Sequence, residues 1–542
     1  MNCAPQLLSD PFLQLPTATT INVVWFTEFI GTKHQVFYGR NLEQNAIATS
    51  IKLSRTREDQ RSHAKNQYQQ PTSRNIWRHE AIVTKLKGDR IPYLVTSTTE
   101  DGETISSGEF TLAPAPKPET PLKILLTSDH QLKPMTAANL QKVVETIGRV
   151  DAVFYGGDLV NVPDRASEWF DDARGCAFFA CMQGRANYKL TKNGVTTTYT
   201  GGEILQHAPI FTTIGNHEVM GRYAQSDGLD GEFDDAVPRA IAQKRLPDAS
   251  VDIIKNHSFN TDTYEEIFTL PASESGGKTY YAVSFGDVRL VVLYATNTWR
   301  YPDLDGKFKG KYREREADLN QPENWGYGQH IFAAIAPNSP QYIWLQQELV
   351  SSEFQQAKYK IVMLHHPPHS LGGNIVPAYT DPVQIIEHNQ DEIINIRYEY
   401  PQTSDYIIRD LVPLLEAANV QLVFYGHSHL WNRFISSRGT HYLETSNVGN
   451  SYGAHVNNNK RPIPNGYQEE YAAIGDPNGL EPIIPAIAPF LDDTGQPAPY
   501  VASNDITVFS IFDTESGTIS SYAFDTREPN SSVIKFDEFQ LQ

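Results

Sequence analysis

Five short blocks recur along the chain, each just past an apolar run: Thr127-Ser128-Asp129-His130-Gln131, Gly156-Gly157-Asp158, Gly215-Asn216-His217-Glu218, Val362-Met363-Leu364-His365-His366-Pro367 and Gly426-His427-Ser428-His429. Each sets an oxygen or imidazole ligand where a buried strand should end. Leu122–Thr127 reads as a strand interrupted by Lys123, Ala137–Val150 has helical spacing, and Ala152–Tyr155 reads as a second strand. That is a βαβ start with Asp129 and Asp158 at the carboxyl ends of its strands, the edge at which open α/β sheets place their ligands. Pro209–Ile214, Tyr359–Leu364 and Val420–Tyr425 repeat the construction, the last two preceded by helical spacing at Ser339–Leu349 and Asp405–Ala418.

The side chains in these blocks are those of a two-metal phosphoester-cleaving site. Such a site holds two divalent ions roughly 3.5–4 Å apart, which lower the pKa of a shared water and clamp the oxygens of an in-line displacement. Asp158 sits centrally among the blocks and is the candidate bridge. Asp129 and His429 complete one ligand set, and Asn216, His365 and His427 the other. Mixed oxygen and nitrogen ligands suit two Mn, Fe or Zn ions, divalent or mixed-valence, better than Ca. Two imidazoles at i and i+2 after a buried strand lie on one face of a tight turn, an arrangement that ordinary structural histidines do not explain. Helix capping would account for Asp129 and Asp158 but not for the other three blocks.

The blocks in this order resemble the calcineurin-like metallophosphoesterase superfamily, whose pattern is D-x-H, G-D, G-N-H-[DE], H and G-H-x-H; the resemblance runs from about Leu122 to Phe524. Within it the chain is similar to the purple acid phosphatase branch: Val362-Met363-Leu364-His365 matches V-x-x-H, Ser339–Leu349 looks like the helix before it, and Pro11–Pro16 looks like the opening strand of the branch's N-terminal domain. The implied fold is α/β (α+β layered), a metallophosphoesterase β-sandwich flanked by helices and preceded by a small all-β, fibronectin-III-like sandwich. The resemblance implies that His217 is no metal ligand but faces the substrate and protonates the leaving oxygen, with Glu218 orienting it. His130, Asn161, Arg222, His366 and His369 are candidate contacts to the phosphate. Two positions depart from the pattern. Gln131 stands where the superfamily has His and the purple enzymes Gly; it either offers its amide oxygen as a ligand or leaves the first site more open. Asn161 stands where the purple enzymes carry an iron-binding Tyr, so no Tyr-to-Fe(III) charge-transfer colour is expected.

Residues from about Pro11 to Leu112 alternate apolar and polar positions in short runs, Ile21–Phe26 among them, without a convincing helix, the pattern of a small antiparallel sandwich over 1–115. Ala113–Pro118 alternates with proline and reads as a stiff connection, giving a linker at 116–121 and one unit over 122–542. Within that unit, residues 163–202 and 453–501 read as long insertions, either lids, specificity loops or mobile excursions. The last three strand signals, Ile506–Phe512, Thr518–Phe524 and Val533–Phe539, read as antiparallel strands of the same unit.

A net charge of −19 over 542 residues argues against broad binding to nucleic acid or acidic membranes. The basic stretches Lys52–Arg78 and Lys307–Arg315 are interleaved with acids, amides or glycine and read as solvated loops. No stretch is long and apolar enough to span a bilayer, and Met1 is followed by no leader pattern, so a cytoplasmic protein or a mature form is expected. Among the three cysteines, Cys176 and Cys181 are near enough to pair, but free thiols are the favoured reading. Three activities fit: a phosphomonoesterase on small-molecule esters, a phosphodiesterase acting on a nucleotide, lipid headgroup or glycerophosphodiester, or a binding protein with a vestigial metal site. Trp431 and Arg433, just after the last ligand, are candidates for bounding a leaving-group pocket. The residues specify neither the oligomeric state nor the natural substrate.

Overall fold

The computed structural model describes residues 6–223, 228–299, 311–462 and 471–542. Cys3 and parts of the 307–315 stretch and of the 453–501 insertion lie outside the described residues.

Two mixed sheets carry the five blocks. The first has the order Ile210–Thr212, Ala152–Tyr155, Lys123–Thr127, Ile506–Asp513, Thr518–Asp525, Ile534–Gln540. Its first three strands run parallel, and the C-terminal strands extend it as an antiparallel meander. In the second, Val288–Val292, Tyr359–Met363, Leu422–Tyr425 and His441–Thr445 run parallel, flanked by antiparallel Tyr281–Phe285 and Trp431–Ile435. Successive side chains of a strand point to opposite faces, and this decides the layering. Leu290, Val292, Ile361, Met363, Leu422 and Phe424 share a core with Ile124, Leu126 and Phe512 of the first sheet. Their neighbours Val291, Val362 and Val423 face the opposite way, onto Leu345, Leu349, Leu411 and Leu415. The first two of those lie in helix Pro340–Leu349, which starts where Ser339 Oγ accepts from Tyr342 N at 3.2 Å and Pro340 fills the first turn. Helix Thr136–Ile147 packs Leu140 and Val143 into the main core.

The N-terminal sandwich is two sheets, Phe12–Gln14, Ile21–Thr27, Trp77–Val83, Thr49–Lys52 and Thr104–Ser106, Ile91–Thr98, Lys33–Tyr38, Gln44–Ile47, closed on Leu13, Val23, Trp25, Val36, Tyr93 and Val95. The strand Ile21–Thr27 is buried along its whole length. Val24 and Phe26, on the face turned away from the sandwich core, belong to the main core instead.

Several expectations are corrected here. Residues 163–202 form two short helices, Ala166–Phe170 and Phe178–Met182, and a hairpin, Tyr188–Lys192 with Val195–Tyr199. Trp169, Phe178, Phe179 and Met182 are core residues, so this segment is packing rather than a lid, because its aromatic side chains bury most of it. The 52–78 stretch is solvated only in its middle, over 60–75: Arg55, Arg57 and Arg78 at its ends are buried, since each finds an acid or carbonyl in the larger unit or in the sandwich. Cys176 and Cys181, by contrast, are buried free thiols, in line with the favoured reading. The hairpin Val383–Asn389 with Glu392–Glu399, whose second strand buries Ile396 and Tyr398, carried no expectation. The 453–501 insertion is tied down by Arg461, whose guanidinium donates to the carbonyls of Ser370 at 3.3 Å and Gly372 at 3.0 Å. Among the described residues, no helix is long and apolar enough to cross a membrane.

Candidate metal centre

All five strand ends meet. Asp129, Asp158 and His429 have ligand atoms within 4.8 Å of one another, as do His365, His366 and His427. Asp158 reaches both groups: its Oδ2 lies 3.3 Å from His365 Nε2. Asn216 Oδ1 lies 3.1 Å from both His365 Nε2 and His427 Nδ1.

The backbone here is strained. Asp129, Gln131, Asp158, His427 and His429 all take left-handed φ values, between 40° and 82°, a region that costs a residue with a Cβ about 1–2 kcal/mol. Two motif glycines are required by close approach rather than by φ. A Cβ on Gly215 would overlap the Asp158 carboxylate, and one on Gly426 would overlap that of Asp129.

Hydrogen bonds fix which nitrogen each ring presents. His365 Nδ1 donates to Gly156 O at 2.8 Å and His429 Nδ1 to Asn450 O at 3.0 Å. In the neutral rings each Nε2 is then a lone pair, and each faces oxygen acceptors: Asp158 Oδ2 and Asn216 Oδ1 for His365, Asp129 Oδ1 at 3.4 Å for His429. Acceptor facing acceptor in a buried site is an arrangement that a cation between them would satisfy. Gln131 Oε1 and both nitrogens of His366 are also buried without hydrogen-bond partners among the described residues. The donor set therefore fits two metal ions.

Charge follows the same logic. Burial opposes ionisation of Asp158, but His365 and His217 beside it hold its carboxyl below the usual carboxylate range. Burial likewise opposes the His365 imidazolium, yet Asp158 lifts that ring to about 10.

Two buried glutamates brace the ligand loops. Glu218 was expected to orient His217. Instead its carboxylate accepts from the backbone N–H groups of Asp158 (2.8 Å), Leu159 (2.7 Å) and Gly215 (2.7 Å), because it points back into the strand ends. Glu444 does the same for the other turn, accepting from Ser428 N at 2.7 Å, with Ser370 Oγ and Asn432 Nδ2 at 2.8 Å. Burial pushes both carboxyls up to about 8, against these donors. Glu444 was missed; a lone acid inside the buried strand His441–Thr445 is the signal that could have found it.

His217 itself is held by Asn161, whose carbonyl accepts from Nδ1 at 2.7 Å, and by Phe233, whose ring stacks 5.1 Å away. Its backbone N donates to Asp158 Oδ1 at 2.8 Å, which ties it to the ligand cluster. Burial lowers the imidazole's pKa, and Asp158 opposes the shift.

The candidate phosphate contacts divide. Asn161 contributes its carbonyl, as above. His366 lies beside the second ligand group, its ring centre 3.9 Å from that of His427. His130 is buried against Tyr155 with Nε2 on Thr127 Oγ1, since the residue between Asp129 and Gln131 turns to the other side. His369 pairs with Asp476 at 2.9 Å and anchors the 453–501 insertion. Arg222 is spent on Asp235 at 2.6 Å. Trp431 and Arg433 are buried pillars bonded to Ser521 and Asp537. Lys133, half-buried and within electrostatic reach of both Asp129 and Asp158, is a cation beside the site that carried no expectation.

The model of the calcineurin-like phosphoesterase family matches residues 122–430. The chain belongs to that family. This phosphoesterase is a metal-dependent phosphoester hydrolase. A purple acid phosphatase from yellow lupin (Lupinus luteus) seeds shares its fold, with a TM-score of 0.55 over 98% of this chain and 73% of that one at 14% identity. A structure of PhoD is less similar, with a TM-score of 0.42 at 10% identity over 100% of this chain and 94% of that one. No curated protein is similar enough in sequence to count as a relative.

Proposed function

We propose that this phosphoesterase hydrolyses phosphate monoesters at a two-ion site, Asp129, Asp158 and His429 holding one ion, Asn216, His365 and His427 the other, and Asp158 shared between them. The observation that carries the reading is acceptor facing acceptor at both His365 and His429. Ions of Mn, Fe or Zn would supply an activated water and neutralise charge on the phosphoryl oxygens. Two carboxylates against two divalent ions leave the site net positive, so an anionic ester binds despite the acidity of the whole chain.

The chain's own residues supply the rest. Glu218 and Glu444 lock the loops from which Asp158 and the two histidines of the fifth block project. With Nδ1–H held by Asn161 O, His217 has Nε2 free, and the imidazolium passes its Nε2 proton to the departing alkoxide. The ring that remains is the neutral Nδ1–H tautomer its hydrogen bond already favours. Gln131 donates from Nε2 to Asp158 Oδ2 at 2.6 Å, and its Oε1, which has no hydrogen-bond partner among the described residues, would be available as a further ligand to the first ion. Monoester preference is supported by the resemblance to acid phosphatases, not by a feature of the pocket.

Turnover of 4-nitrophenyl phosphate against bis(4-nitrophenyl) phosphate, each with added Mn, Fe or Zn, tests the reading. Faster hydrolysis of the monoester is expected. Preference for the diester would replace the reading with a phosphodiesterase, and no turnover of either by metal-loaded protein would contradict both.

A further inference from the structure

The two groups that fix the His217 ring, the Asn161 carbonyl and the Phe233 ring, are both clamped by one loop of the N-terminal sandwich. Arg57 in that loop is buried and makes a two-pronged contact with Glu232, at 2.9 and 2.6 Å, and a third bond to Asp164 at 2.9 Å. Glu232 is fully buried and is followed directly by Phe233 at the end of helix Gly228–Phe233. Asp59 caps the other end of the same helix, accepting from Leu229 N at 2.8 Å. Asp59 also accepts from Arg165 at 3.2 Å, and Arg165 donates to Glu168 at 2.9 Å. Glu168 in turn accepts from the backbone N of Asn161 at 2.6 Å, the residue whose carbonyl holds His217.

We propose that the N-terminal sandwich sets the position of the proton donor: Arg57, through Glu232 and Asp164, and Asp59, through Arg165 and Glu168, hold the ring and the carbonyl between which His217 is clamped. A planar guanidinium bonded to two carboxylates is a stiff joint that a lysine cannot reproduce. Arg57 is a positioning residue, since it touches neither the ligand cluster nor His217. The proposal rests on the reading of His217 as the group that protonates the leaving oxygen.

Leaving-group dependence tests it. 4-Nitrophenolate departs without a proton, whereas the alkoxide of a simple alkyl phosphate does not. The readout is the ratio of kcat/KM on the two esters, with metal content measured on every variant. His217→Ala should lose about a hundredfold or more on the alkyl ester and much less on the aryl ester. Arg57→Lys and Phe233→Leu should each lose about tenfold on the alkyl ester and about twofold or less on the aryl ester, a displaced donor being worth part of a deleted one. Phe233→Leu breaks no ion pair and carries the test if Arg57→Lys does not fold. Arg55→Met cuts a pair at the same interface, with Asp262 and Asn256, and should leave the ratio unchanged. In the His217→Ala background, Arg57→Lys should change the ratio no further. If His217→Ala shifts the ratio and neither Arg57→Lys nor Phe233→Leu does, or if Arg55→Met shifts it as much, the positioning role is overturned. A ratio unmoved by His217→Ala would overturn the proton-donor reading itself.

Discussion

At the scale of single residues, the left-handed backbone of Asp158, at φ 59°, separates what its side chain does from what its Cα requires. An aspartate there carries a steric cost that only the site's chemistry offsets. Asp158→Ala and Asp158→Gly both remove the carboxylate, but only glycine takes this φ without strain. Chemical denaturation of the metal-free variants should find Asp158→Gly more stable than Asp158→Ala by about 1 kcal/mol. Equal stabilities, or the reverse order, would mean that this backbone is not strained. The ligands themselves were legible because each is a polar residue at the end of an apolar run, where a structural role is hard to supply. Their braces were not. Glu218 looked like a partner of His217 because it follows it in sequence, and only the fold shows three backbone N–H groups converging on its carboxylate.

At the scale of elements, the strand ends were legible and the strand faces were not. Ile21–Thr27 was expected to alternate, but it is buried on both faces because the larger unit covers its outer side. On the opposite face, turned into the sandwich, burial between the two sheets traps a pair of histidines beside Trp25. His79, bonded to Thr27 and Ser50, stacks 3.6 Å from His34. Burial, reinforced by His34 and Arg78, lowers the pKa of His79 from 6.5 to about 2. The unfolded chain takes up a proton as pH falls through 6.5 and the folded chain does not, so the stability of the neutral ring is present above that pH and is lost progressively below it. By pH 5 the loss is about 2 kcal/mol. A thermal-unfolding series from pH 7 to 5 should therefore slope downward, and His79→Gln should flatten part of that slope. A slope identical in the variant would show that His79 titrates normally. His369, Trp431 and Arg433 were misread for a related reason: each sits beside a ligand in sequence, but its partner (Asp476, Ser521 or Asp537) comes from a segment far along the chain.

At the scale of the whole molecule, an overall charge of −19 coexists with a site that must accept an anion and an interface built on arginine. The acids are partly consumed by that interface: Arg57 meets Glu232 across 175 residues of sequence. Composition could not reveal it, because a stretch mixed with acids looks solvated until the fold supplies the partners. The sandwich is thereby joined to the catalytic sheets by a shared apolar core and by buried ion pairs together. Everything proposed for the reaction depends on two ions held by these side chains. The most direct measurement is the metal-to-protein ratio of chain reconstituted with Mn, Fe or Zn and freed of excess ion, taken on the wild type, His217→Ala and Asp158→Ala. Two ions per chain are expected in the first two, and less than one in Asp158→Ala, which loses the shared carboxylate. Fewer than two in the wild type, or two retained after Asp158→Ala, would contradict the account.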